Sequence, residues 1–379
     1  MTPVTKAYLP NKNRFKDYVD RIYESGWLTN SGNILRELEL RLKEYLGVKH
    51  IVLVANGTVA LQLAYKALNL KGEVITSPFS FVATTSTLHW EGLLPVFADI
   101  NSTDFNLDPD NISQLINDET SAVVPVHVFG NPCKVEKIQD IADKHNLKVI
   151  YDAAHAFNVN YCDRSGTLKN VLNYGDVSTL SFHATKIFHT IEGGAVITND
   201  DALADKIRHL INFGLTGQTS VESVGINAKM NEFEAAMGLC ILEEIEGIKK
   251  NRKQIWETYK QELDDVVEFQ NWNPQGTNNN AYAPILLKDE YQLLEVIDKL
   301  QDNNIFPRRY FYPSLDTVEC LNTNTCTNNK ETKPSIGIAC PVSRDIAKRI
   351  LCLPIYAELS IKEQEKIISV VRDTIKLKR

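Results

Sequence analysis

Lys148-Val149-Ile150-Tyr151-Asp152, followed by Ala153-Ala154-His155, is the stretch that decides the fold class of this chain. An apolar run ends abruptly in a carboxylate. Further on, Val177-Ser178-Thr179-Leu180-Ser181 leads into Phe182-His183-Ala184-Thr185-Lys186, and the plan repeats: a short strand, then polar groups and an amine. Apolar runs of this length suit strands covered on both faces, as in a parallel sheet. In open α/β sheets, ligands bind beyond the carboxyl ends of the strands. Asp152, Ser181, His183 and Lys186 are therefore expected along one edge.

Working outward, the alternation continues. Ile51–Ala55 reads as a strand and Thr58–Leu68 as a helix. Glu73–Ser77, a helix over Val82–Trp90, and Pro95–Asp99 follow. Ala122–Val126 and Lys148–Asp152 flank a helix over Val135–His145. Val177–Phe182 and Ala195–Thr198 complete the strands, and Asp201–Phe213 carries a helix. This spacing predicts an α/β domain with a largely parallel sheet. After about residue 230 the texture changes. Asn231–Ile248 reads as a long amphipathic helix and Lys249–Leu263 as a charged one. Ala281–Leu287 reads as a strand, with helices over Glu290–Asn303 and Ile361–Leu377. We expect a large domain over residues 1–248 and a smaller α+β domain over 249–379. Asn322–Pro334, rich in Asn and Thr, reads as an exposed loop.

Composition limits the partners. The chain has 379 residues, 43% hydrophobic and 23% charged, with a net charge of −7. Without a basic tract, a nucleic-acid partner is not expected. No apolar run is long enough for a membrane helix, and the opening segment is too polar for a signal peptide. The seven cysteines are scattered, with no C-x-x-C pair. That pattern fits reduced thiols in a cytoplasmic protein. The irregular spacing of Cys320, Cys326 and Cys340 makes a zinc site an unfavourable reading.

Four strand ends deliver candidate groups. Asn56-Gly57-Thr58 opens a helix after the first strand. Glycine admits a close approach, and a helix N-terminus offers free N–H groups to a dianion; an ordinary strand-to-helix turn looks the same. Phe79, Ser80 and Phe81 follow Glu73–Ser77. Phe81 suits either stacking on a ring or core packing. Asp152 fits a helix N-cap as well as a ligand-facing carboxylate. His155 could be an interior histidine, and Lys186 a solvated surface lysine. Ile191-Glu192-Gly193-Gly194 favours a bound group beside Lys186, because paired glycines permit a tight turn there.

The motifs ANGTVALQLA (55–64), PFSFVATTS (78–86), YDAAHAF (151–157), SFHATKIFHTIEGGAVITND (181–200) and GINAKMNEFEAAMG (225–238) make the resemblance specific. In this order they resemble the DegT/DnrJ/EryC1/StrS sugar aminotransferases. These are fold type I, aspartate-aminotransferase-like enzymes that use pyridoxal 5′-phosphate (PLP). The resemblance implies a mostly parallel seven-stranded sheet and a smaller C-terminal α+β domain. It implies that Lys186 carries the cofactor aldehyde and that Asp152 pairs with the pyridine nitrogen. Phe81 and His155 would flank the ring. Gly57, Thr58 and Ser181 would hold the phosphate, with His183 beside it. Asn227 would reach the phosphate of a neighbouring subunit in a homodimer.

The resemblance also implies substrate contacts at Leu28, Thr29 and Asn30 in Trp27–Gly32, and at Arg309, Tyr310 and Tyr312 in Arg308–Pro313. Arginine forks suit a diphosphate. The implied partners are L-glutamate and a nucleotide-linked keto sugar. The branch that aminates C-4 of dTDP-4-keto-6-deoxyglucose for surface glycans such as O-antigens is the best match. Amination at C-3 and a non-catalytic PLP-binding protein are the alternatives.

Overall fold

A computed structural model describes residues 1–322 and 339–376. Cys326 and the remainder of the Asn- and Thr-rich segment after Asn322 lie outside the described residues.

The central sheet has seven strands. Their spatial order is His50–Val54, Gly194–Thr198, Val177–Ser181, Lys148–Asp152, Thr120–Val124, Glu73–Thr76, Leu94–Phe97. Gly194–Thr198 is antiparallel to both of its neighbours, and the others share one direction. The fold is thus α/β with a mostly parallel sheet.

The strands are mainly apolar because both faces are covered. In His50–Val54, Ile51 and Leu53 enter one core while Val52 and Val54 enter the other, as a period of two dictates. Gly57–Ala67 and Asp201–Leu210 close one face. Asn33–Leu46, Val135–His145 and the first half of a long helix close the other.

That long helix corrects the two-helix expectation: Glu232–Leu263 is continuous. Asn231 caps it, and Glu234 returns the bond to the Asn231 N–H, which forms a capping box. The helix runs without a break through positions 248 and 249. Its later turns contribute Ile255, Tyr259 and Leu263 to a separate core with Ile285, Leu293, Leu351 and Ile367. There Pro284–Leu286 pairs antiparallel with Glu268–Phe269 and with Ile350–Cys352.

The first fifty residues carry two helices, Lys12–Ser25 and Asn33–Leu46, where the strand–helix reading offered none. Both pack on the long helix, and Arg14 and Tyr18 bond to Glu243. Asn33–Leu46 starts after Gly32, which has no side chain to cap it. Glu232 supplies the cap instead. Its buried carboxylate accepts from the N–H groups of Ile34 and Leu35 at 2.9 and 3.0 Å. Its own N–H donates to the Leu28 carbonyl at 3.0 Å. A Cβ on Gly32 would lie 2.4 Å from the Trp27 side chain and 2.5 Å from that of Glu232, so a larger residue would displace the capping carboxylate or the indole. Trp27–Gly32 is thereby fastened to the start of the long helix.

Candidate active site

The carboxyl edge of the sheet opens into a cavity of about 470 Å³, within the range of small-ligand sites. Asp152, Ser181, His183, Lys186, Gly57, Thr58, Phe81 and His155 all line it. Strand register explains the convergence, since Asp152 and Ser181 end neighbouring strands.

Asp152 is 7% exposed. The residues after it form turns rather than a helix, which removes the N-cap alternative. One carboxylate oxygen accepts from the Thr84 hydroxyl at 2.7 Å and the other from the Ala154 N–H at 3.1 Å. Thr84 in turn shares a 2.6 Å bond with Ser80. Burial pushes the Asp152 carboxyl above its ordinary range, while Thr84, Ala154 and Lys186 pull it back. A cationic ring N–H beside it would restore the anion.

Lys186 sits in a loop closed by backbone bonds from Phe182 to Gly193 and from Thr190 to Phe182. Phe188 anchors the loop, stacking on Phe157 at 4.7 Å and meeting Phe182 edge-on at 4.9 Å. A Cβ on Gly193 would lie 2.0 Å from the Thr190 hydroxyl. Burial lowers the Lys186 pKa, with Asp152 and then Tyr310 opposing. A depressed lysine is a better nucleophile near neutral pH.

The other end of the cavity is shaped by missing side chains. A Cβ on Gly57 would lie 2.8 Å from Ser181 Cβ, and one on Gly194 would lie 2.6 Å from the Asn56 backbone. Asn56 caps the helix Gly57–Ala67 through the Val59 N–H at 2.9 Å. First-turn N–H groups have no partner within their helix. The helix start, Ser181 and the two glycines form a cradle for a dianion.

His155 is buried, and its Nδ1 accepts from the Phe129 N–H at 3.2 Å. Burial, then Lys186 and His127, hold its pKa well below the usual histidine value, so the ring is neutral. It lies parallel to Phe311 at 5.7 Å. Phe81 also lines the cavity and is 51% exposed, which removes the core-packing alternative. His183 pairs with Thr185 at 2.8 Å and approaches Glu192 at 3.6 Å.

The substrate-facing expectations divide. Tyr310 lines the cavity, but Arg309 and Tyr312 do not. Arg309 is turned away: its guanidinium donates to Glu290 at 2.7 Å and to the Lys348 carbonyl at 3.2 Å, and it stacks on Tyr312. Its neighbour Arg308 lines the cavity instead and lies over Tyr310 at 4.6 Å. Consecutive residues in extended chain face opposite ways, and sequence alone could not set the phase. Leu28, Thr29, Asn30 and Asn227 are exposed and do not line this chain's cavity.

Sequence reasoning missed Thr84 and Tyr282, and within the quoted run Arg308–Pro313 it chose Arg309 where Arg308 lines the cavity. Thr84 lay within a quoted motif, one turn into a helix that points at Asp152. Nothing local marked Tyr282.

A buried carboxylate, a depressed lysine across the same cavity, a neutral imidazole and a glycine-shaped dianion cradle fit PLP. The fold and this cavity define a PLP-dependent enzyme of fold type I. The DegT/DnrJ/EryC1/StrS aminotransferase family matches residues 10–372. The chain is 43% identical to a dTDP-4-amino-4,6-dideoxy-D-glucose transaminase of Shigella dysenteriae, over 98% of both chains. It is 40% identical to one of Escherichia coli, over 94% of both. Among solved structures, DesI in the presence of its TDP-sugar product superposes with a TM-score of 0.88 at 34% identity, covering 99% of this chain and 92% of that one. Helicobacter pylori PseC, described as an aminotransferase involved in pseudaminic acid biosynthesis, has a TM-score of 0.86 at 28% identity, covering 99% of each. This chain belongs to the DegT/DnrJ/EryC1/StrS aminotransferase family.

Proposed function

We propose that this enzyme moves an amino group from L-glutamate to C-4 of dTDP-4-keto-6-deoxyglucose, giving dTDP-4-amino-4,6-dideoxyglucose for O-antigen or other surface glycans. The observation that carries the chemistry is Lys186 and Asp152 sharing one cavity with a dianion cradle. The choice of C-4 is supported by the relatives that are 43% and 40% identical across nearly the whole chain.

PLP, when bound, supplies an electron sink for the carbanion formed at the donor α-carbon. Gly57, Thr58 and Ser181 would hold its phosphate, with His183 at the margin. Asp152 would face the ring nitrogen, and Thr84 and the Ala154 N–H fix that carboxylate. Phe81 and His155 would flank the ring; a neutral His155 adds no charge to compete with the Asp152 pair. Lys186 Nζ takes up the donor α-proton and later returns a proton to the product carbon, as a general acid–base. Its depressed pKa suits both directions. Arg308 and Tyr310 would meet the anionic substrates at the cavity wall.

The working form would be a cytoplasmic homodimer in which Asn227 of each chain reaches the other's cavity. The exposure of Asn227, Phe213 and Ile226 supports this. No described helix is long and apolar enough to cross a membrane. The test is incubation with glutamate and dTDP-4-keto-6-deoxyglucose, with NMR of the product. A new amine at C-4 is expected; an amine at C-3, or no product, overturns the substrate assignment.

A further inference from the structure

Tyr282 belongs to no motif singled out in the sequence, yet it makes the side-chain contact to the reactive amine. Lys186 Nζ lies 3.1 Å from the Tyr282 hydroxyl. The Tyr282 ring packs against His155 at 4.6 Å and meets Tyr310 edge-on at 5.8 Å.

The segment that carries it is fixed from two sides. Arg252, buried on the long helix, donates to the carbonyls of Asn280 and Ala281 at 3.2 and 2.6 Å. Asn279 donates to the carbonyls of His155 and Phe157 at 2.8 and 3.1 Å and accepts from the Ala281 N–H at 3.1 Å. The approach of Asn279 requires Gly130, where φ is +91° and a Cβ would lie 2.8 Å from both Asn279 and the His155 carbonyl. Three separate elements thus converge to hold one phenol. Such support is what keeps a functional group within tight tolerance.

Space makes the same point. Behind Lys186 a second chamber, lined by Ala154, Phe157, Ile187 and Tyr282, has only about 10 Å³. That is room for about one water molecule. A released lysine amine has the main cavity on one side and the Tyr282 oxygen as its nearest described side-chain partner.

We propose that Tyr282 is a positioning residue for Lys186, holding Nζ at the cavity wall whenever that amine is not bonded to the cofactor and giving the ammonium form an acceptor. The inference rests on Lys186 being the reactive amine. When Nζ takes the donor α-proton, its lone pair forms the new N–H bond and the C–H electron pair stays on carbon. The resulting ammonium donates to the Tyr282 oxygen, and the phenol keeps its own proton. Burial, the largest effect, raises the Tyr282 pKa, so it stays a neutral phenol. The titratable groups around the pair are Asp152, His155, Tyr310, Arg308, Arg252 and Cys352.

The test is Tyr282→Phe. In cofactor-free protein, trace acetic anhydride labelling of Lys186 across pH, read by mass spectrometry, reports its titration. Loss of the charge-assisted acceptor should lower the labelling midpoint by about one pH unit. In the loaded enzyme kcat should fall roughly 10- to 100-fold, with both KM values nearly unchanged. An unmoved midpoint with unmoved kcat overturns the proposal. If Y282F fails to fold, Asn279→Ala displaces the segment while leaving the hydroxyl in place, and a smaller shift in the same direction is expected. Lys186→Ala separates the two readings. If that variant still attaches the cofactor covalently, the assignment of Lys186 itself fails; if it does not, an unshifted Y282F refutes only the role of Tyr282.

Discussion

The end of the cavity proposed for the cofactor and the wall proposed for the substrate are built by different means. At the cofactor end, Asp152 and Ser181 end adjacent parallel strands. Their positions follow from the sheet, and the glycines at 57 and 194 bring the neighbouring backbone against them. At the substrate wall, Arg308, Tyr310 and Tyr282 sit on irregular segments that other elements hold in place. One wall is specified by period and strand end, the other by long-range contacts. A residue of the first kind can be found by reading along the chain. One of the second kind can be missed by a single position, as Arg309 and Arg308 show.

The sharpest break in that comparison is at the cofactor end. Lys186→Ala should lower turnover by at least roughly 10⁴-fold, the upper end of what one proton-transferring group supplies, and should abolish the absorbance of the lysine-bound cofactor. Asp152→Asn keeps the shape but loses the charge. A fall in kcat of about 10²- to 10³-fold is expected, as for other buried electrostatic partners, with steady-state assays as the check.

The substrate wall is probed by an adjacent pair. Arg308→Gln should raise the KM of an anionic substrate about 10- to 100-fold, the worth of a charge-assisted hydrogen bond. Arg309→Gln should leave KM alone and lower stability by about 1 kcal/mol, because its partners are Glu290 and the Lys348 carbonyl. If the two variants behaved alike, the opposed orientation would be wrong. Glu232→Gln should cost about 1–3 kcal/mol in chemical denaturation, since it weakens the cap on Asn33–Leu46.

The remaining test is in acid. Burial lowers His127 to about 3, and His155 is also depressed. The unfolded chain binds protons near pH 6.5 that the folded chain refuses. Stability from these histidines is therefore complete above about pH 6.5 and is lost as pH falls towards the folded values, by up to roughly 1.4 kcal/mol per pH unit for each. Urea titrations of the apoprotein between pH 7 and 5 would show it, and His127→Gln should flatten the slope.

Much of the fold could be read from residues 50–213, where apolar runs and amphipathic turns alternate. Lys148–Asp152 and Val135–His145 have the bounds the pattern gave. The first fifty residues could not be placed, because two helices without strands between them carry no βαβ signature. The continuity of Glu232–Leu263 was hidden by its change of texture: its apolar face serves one core in the first half and another in the second.

By itself, the sequence determined the mostly parallel sheet and the strand-end edge on which Asp152, Ser181 and Lys186 come to line one cavity. These depend on local periodicity and on which residues end a strand. Tertiary structure alone decided that Arg308 rather than Arg309 faces the cavity, that Glu232 caps a helix two hundred residues away in the chain, and that Tyr282 meets Lys186. Those contacts join segments distant in sequence, and their geometry is set by packing, which no local pattern encodes.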